Sequence, residues 1–183
     1  MPKCIGVEAR VLTRSFRSLP PRQPPLHSEM IKGRPPRLDQ IFQSYDPPLY
    51  FVTICTLYRQ KIDNLKLAQN ALKQYGANAI EKFNIAIGRY VVMPDHIHLF
   101  VRGGPDFVLS EWVKGLKRAV GAAMKLRKKR LVWQPGFFDH ILRNDESYSQ
   151  KWQYVYENPV RAGLAESPEQ WPYRGEIVLI DRA

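Results

Sequence analysis

A chain of 183 residues carrying 28 Lys+Arg against 17 Asp+Glu, a formal net charge of +11, is long enough for one domain with a real core and short for two. Charge of that sign and size points to a polyanionic partner, nucleic acid first. Two cysteines are too few for a disulfide framework, no apolar run approaches the ~20 residues that span a bilayer, and the N-terminus lacks a signal-peptide core; a cytoplasmic protein with no membrane partner is expected.

Residues 1–47 read as a basic, proline-rich extension. Nine of the fifteen prolines fall between Pro2 and Pro48, interleaved with Arg10, Arg14, Arg17, Arg22, Lys32, Arg34 and Arg37, and such a composition cannot build a periodic core element. A phosphate-tracking arm, a solvated tail and a start codon placed ahead of Met30 all fit it. Globular structure is expected over 48–183.

Leu49–Thr56 predicts a strand from its β-branched and aromatic content. Asn64–Lys82 predicts a helix with Leu65, Ala68, Leu72, Tyr75 and Ala79 on one stripe. Ile85–Met93 and His96–Arg102 predict a hairpin around Pro94-Asp95, ended by Gly103-Gly104-Pro105. Ser110 is a cap for a second helix over about 111–129, with Trp112, Val113, Leu116, Val120, Ala123 and Met124 as its buried stripe. Phe137–Arg143 predicts a fourth strand, and Glu146–Glu157 a helix capped by Asp145. This order is that of an α+β ferredoxin-like sandwich, an antiparallel sheet with helices on one face.

Chemistry concentrates at two places. Alternation along the third strand puts His96, His98 and Phe100 on one face and Ile97, Leu99 and Val101 on the other. Paired imidazoles most often share a divalent metal, and a half-exposed strand that happens to carry two histidines is the alternative. In the last helix Tyr154 and Asn158 stand four apart on one face, with Gln150 a turn earlier. A tyrosine hydroxyl can serve as a covalent nucleophile and an Asn carbonyl as a hard oxygen ligand. Proline disfavours the helical region in the residue before it, so Asn158 is expected to end one helix and cap the next. Tyr156 competes with Tyr154. Asp95 reads chiefly as a turn residue. His140 has three readings: contact to DNA, assistance to the tyrosine, or a bond to Asp139.

Lys114, Lys117, Arg118, Lys125, Arg127, Lys128, Lys129 and Arg130 lie within seventeen residues that contain no acidic residue. Any one suits a solvated face, but together they make a footprint for a phosphate backbone. Trp133, Phe137 and Phe138 nearby could stack unpaired bases, with a core role for at least one.

The ordered set Tyr50-Phe51-Val52-Thr53-Ile54-Cys55-Thr56, Val92-Met93-Pro94-Asp95-His96-Ile97-His98, Trp133-Gln134-Pro135-Gly136-Phe137-Phe138-Asp139-His140-Ile141-Leu142-Arg143, Tyr154-x-x-x-Asn158-Pro159-Val160 and Trp171-Pro172-Tyr173 resembles the single-tyrosine His-hydrophobic-His nucleases. Within them it looks most like the REP-associated tyrosine transposases, over about residues 48–175. The resemblance implies the same ferredoxin-like fold, with Tyr154 as nucleophile and His96, His98 and Asn158 as ligands for Mg²⁺ or Mn²⁺. It also implies transesterification of single-stranded DNA at palindromic hairpins, through a tyrosine joined to the 5′ phosphate. Insertion-sequence relatives imply a homodimer and REP-associated ones a monomer. A non-catalytic single-strand DNA- or RNA-binding protein using the same basic surface is the competing class. The family pattern does not account for residues 1–47.

Overall fold

The structure, a computed structural model, describes residues 48–124, 131–142 and 145–180. The expected extension over 1–47 and the run Lys125, Arg127, Lys128, Lys129 and Arg130 lie outside the described residues. The elements are β1 (Leu49–Cys55), α1 (Leu65–Phe83), β2 (Ala86–Val92), β3 (His96–Arg102), α2 (Leu109–Met124), β4 (Phe138–Leu142), α3 (Asp145–Tyr156), α4 (Asn158–Arg161) and β5 (Arg174–Glu176).

The sheet is antiparallel throughout, in the order β4-β1-β3-β2-β5. β1 and β2 flank β3 and run parallel to each other, so α1 must cross over one face to join them. By the same logic α2 crosses β1 to join β3 to β4, which yields the expected α+β sandwich. Alternation then sorts the side chains. Val52, Ile54, Ile97, Leu99 and Val101 point at the two long helices and are fully buried with Leu72, Leu116 and Val120. Burying each such side chain contributes about 1.5–3 kcal/mol.

Asn64 caps α1, its side chain accepting from the Leu67 N–H at 2.8 Å, and Asn84 ends it in the left-handed region at φ 51°. Ser110, expected as the cap of α2, lies inside it. The first helical bond runs from the Trp112 N–H to the Val108 carbonyl, because an earlier start buries Leu109.

α3 lies on the opposite face of the sheet, where Phe100 meets Tyr148 at 4.8 Å and Trp152 at 6.3 Å between ring centroids. β5 is unexpected, because Arg174-Gly175-Glu176 lacks any strand-forming pattern. It pairs with β2 because other contacts bring it there. Gln69, buried on α1, donates to the Tyr90 hydroxyl, the Pro172 carbonyl and the Arg174 carbonyl at 3.1, 3.2 and 3.3 Å. The Trp171 indole N–H donates to the Val92 carbonyl at 3.1 Å, and Trp171 shares a buried cluster with Val91 of β2 and Val155 of α3.

Candidate active site

On the sheet face away from the main core, β3 presents His96 and His98, and their Nε2 atoms stand 3.1 Å apart. The Asn158 carboxamide closes a triangle, 3.2 Å from His96 Nε2 and 3.1 Å from His98 Nε2. Neighbouring ligands of an octahedral ion with ~2.1 Å bonds stand ~3 Å apart, so these edges match one face of such a shell. The amide nitrogen faces the imidazoles here, and a half-turn of the carboxamide puts Oδ1 in its place. Among the described residues no group of three or more His, Cys, Asp or Glu could hold a metal, and the third polar side chain at this triangle is Asn158.

Each imidazole is held from behind. His96 Nδ1 lies 2.6 Å from Asp95 Oδ1, and His98 Nδ1 lies 2.8 Å from the Thr53 hydroxyl. A carboxylate only accepts, so the His96 proton sits on Nδ1 and leaves Nε2 as a lone-pair donor. Asp95 Oδ2 in turn pairs with Arg59 Nη1 at 3.4 Å. His98 is 8 % exposed and stacks on Phe51 at 5.4 Å. Its burial, followed by the charge of His96 and the Arg161, Arg59 and Lys151 cations, pulls its pKa down to about 3. Burial also lowers His96, against the raising effect of Asp95. Both are neutral at neutral pH, the form that binds metal.

The helix carrying Tyr154 breaks one residue earlier than expected. α3 ends at Tyr156, Glu157 (φ −82°, ψ −6°) is the joint, and Asn158 opens α4 with Pro159 in its first turn. Proline has no N–H to continue the ladder, and the joint absorbs that loss while Asn158 stays on the helical path. Tyr154 is 57 % exposed, and its hydroxyl has no hydrogen bond among the described residues. The Arg161 guanidinium lies 4.1 Å from its ring centroid, donates to the Tyr154 carbonyl at 2.5 Å and pairs with Glu157 at 3.6 Å. Tyr156 is engaged elsewhere. Its hydroxyl donates to Glu169 at 2.7 Å, which raises its pKa, and its ring lies against Trp152 and Arg174.

The other expected residues fall apart from this cluster. His140 pairs with Phe51 on β4, two strands from β3, roughly 10 Å across the sheet. On α2, Lys114 is exposed beside Glu111, and Arg118 is exposed. Lys117 instead reaches the Gln134 carbonyl at 2.8 Å and the Gly136 carbonyl, while its own carbonyl accepts from the Trp133 indole at 2.9 Å. It clamps the segment before β4. Phe137 is buried in the core and Phe138 is 52 % exposed. Thr53, Arg59 and Arg161 carried no signal in the sequence. Thr53 is found only through the register that pairs it with His98.

The model of the IS200-like transposase family matches residues 48–158, and the chain belongs to that family. It is 33% identical over 89 residues to a REP-associated tyrosine transposase of Escherichia coli strain K12, covering 48% of this chain and 52% of that protein. The chain thus spans about half the length of that relative. Its fold is similar to the solved structure of a REP-associated tyrosine transposase bound to a REP hairpin, with a TM-score of 0.59 and 24% identity over 74% of this chain and 81% of the other. No helix among the described residues is long and apolar enough to cross a membrane.

Proposed function

We propose that the chain is a metal-dependent, transposase-like transesterase of single-stranded DNA that cleaves and rejoins hairpin-associated sites through a 5′-phosphotyrosine. The observation that carries this is the triangle of His96, His98 and Asn158, with an exposed tyrosine one helical turn before Asn158. Hairpin DNA is named as substrate because the similar solved structure is bound to a REP hairpin.

In this reading the Tyr154 oxygen attacks the scissile phosphorus and gives its proton to solvent. The new bond to phosphorus forms as the bond to the 3′ oxygen breaks, and that oxygen takes a proton from solvent and leaves as a hydroxyl. A 3′ hydroxyl later attacks the phosphotyrosine and restores the phenol, so one phosphoester is exchanged for another without ATP. His96, His98 and Asn158 would hold Mg²⁺ or Mn²⁺, which when bound acts as a Lewis acid at the phosphate oxygens. A shell of neutral donors leaves the whole dipositive charge for the phosphate, and mixed nitrogen and oxygen donors suit these ions better than a closed zinc site. Asp95 and Thr53 keep both Nε2 atoms turned inward. Arg59, Lys151 and Arg161, the cations that act on His98, form a rim for the DNA backbone, and Lys114 and Arg118, exposed on α2 apart from that rim, offer it a second basic surface. Residues 48–183 act as the catalytic domain in the cytoplasm, with 1–47 accessory. One copy carries every group named, so a homodimer is not required.

The test is to incubate the protein with a labelled single-stranded hairpin and Mn²⁺ and map any DNA–protein adduct by mass spectrometry. Tyr154→Phe loses the adduct and Tyr156→Phe keeps it. Hairpin binding with no adduct under either Mg²⁺ or Mn²⁺ would establish the non-catalytic binder instead.

A further inference from the structure

Between β1 and α1 the chain makes a turn whose conformation its residues disfavour. Tyr58 (φ 51°, ψ 31°) and Arg59 (φ 54°) both sit in the left-handed region, where side chains other than glycine and asparagine are rare. Within the turn the Arg59 N–H donates to the Thr56 carbonyl at 3.3 Å and the Gln60 N–H to the Leu57 carbonyl at 3.1 Å. The turn is also tied to two other segments: the Leu57 N–H donates to the Val132 carbonyl at 2.8 Å and the Thr56 N–H to the Asp95 carbonyl at 2.9 Å, while the Thr56 hydroxyl donates to the Gln60 carbonyl at 2.7 Å. Backbone held against its preference by surrounding structure recurs at ligand sites. What the turn displays is Tyr58, 93 % exposed, and an Arg59 side chain 61 % exposed.

Its position is as particular as its shape. Arg59 pairs with Asp95, and Asp95 holds His96, so the turn lies one side chain behind the ligand triangle. An exposed aromatic face beside a cation, at the edge of a site that handles a phosphodiester, has the chemistry of a nucleotide seat: a ring for the base and a guanidinium for the phosphate.

We propose that Tyr58 and Arg59 bind one nucleotide of the single strand flanking the scissile phosphate, Tyr58 stacking on its base and Arg59 contacting its phosphate. This rests on the transesterase reading and adds a subsite to it. Stacking on a ring is tolerant of base identity, so the seat sets where the strand is held rather than which sequence is chosen.

The experiment uses the full chain with Tyr154→Phe to prevent turnover. The probe is a pool of DNA hairpins with random single-stranded flanks in which thymine is replaced by 5-iodouracil, irradiated with Mn²⁺ present and analysed by mass spectrometry. The expected result is a crosslink at Tyr58, kept as an aromatic crosslink in Tyr58→Phe and lost in Tyr58→Ala, with ~5- to 100-fold weaker affinity for the flanked hairpin in the latter. Tyr58→Gly separates strain from binding: it relieves the left-handed conformation and raises the melting temperature by roughly 2–4 °C, yet binds as weakly as Tyr58→Ala. Failure of the unsubstituted Tyr58 protein to bind any hairpin overturns both readings. Binding with crosslinks elsewhere and an unchanged affinity in Tyr58→Ala overturns this one alone, as does loss of self-association in Tyr58→Ala without loss of DNA contact.

Discussion

Thr53 and His98 are cross-strand partners of β1 and β3, and the threonine hydroxyl lies 2.8 Å from His98 Nδ1. A single backbone register therefore aims one of the two imidazoles. Thr53→Val keeps the side-chain shape and removes the aim. Mn²⁺ affinity measured by calorimetry should fall ~10- to 100-fold, the usual size of a lost outer-shell partner, and Thr53→Ser should restore it.

Acid should unfold the metal-free protein through the same residue. His98 has its pKa near 3 in the folded state and about 6.5 when unfolded, so the unfolded chain binds the extra proton and falling pH favours it. Above about pH 6.5 there is no penalty. Below that, stability drops by about 1.4 kcal/mol per pH unit from His98 until its folded pKa is reached, and His96 adds in the same direction. Denaturant titrations between pH 7 and 4 in EDTA give the slope, and His98→Gln should flatten it.

Asn158→Ala should separate chemistry from binding. The substitution keeps a helical residue before Pro159 and deletes the third donor, so Mn²⁺-dependent adduct formation is lost while salt-dependent affinity for the DNA hairpin persists. His96→Ala should behave alike. A variant that binds no DNA would show that Asn158 shapes the fold rather than the site.

The α2 cations should divide into two classes. Lys114→Gln and Arg118→Gln each reduce the slope of log affinity against log salt by about one, as loss of a phosphate contact does. Lys117→Met leaves that slope alone and lowers the melting temperature, because its ammonium holds the Gln134 and Gly136 carbonyls. A reduced slope in Lys117→Met would return it to the DNA surface.

Apolar stripes of helical period made α1 and α2 legible, strand-forming content and alternation β1 to β4, and composition with a cap α3. Alternation made the shared face of His96 and His98 legible, whereas the helix joint falls at Glu157, one residue before the expected place at Asn158. β5 was not legible, because tertiary contacts from Gln69 and Tyr90 hold Arg174–Glu176 in place. Nor were Thr53 and Arg59, whose relation to the histidines exists only after strands separated by more than thirty residues have paired. Lys117 misled for a related reason. Charge is visible in a sequence, but the carbonyls that capture it are not.

The joint at Glu157 gives the site a mechanical property. Tyr154 and Asn158 ride on one nearly continuous rod, and Asn158 is moored to two imidazoles on the central strand of the sheet. Moving the tyrosine then leaves two courses: the rod bends at its single interrupted residue, or it pulls Asn158 from its mooring. By the second course, retracting the tyrosine also opens the triangle of His96, His98 and Asn158, and in the proposed transesterase strand release and ion release would become one event.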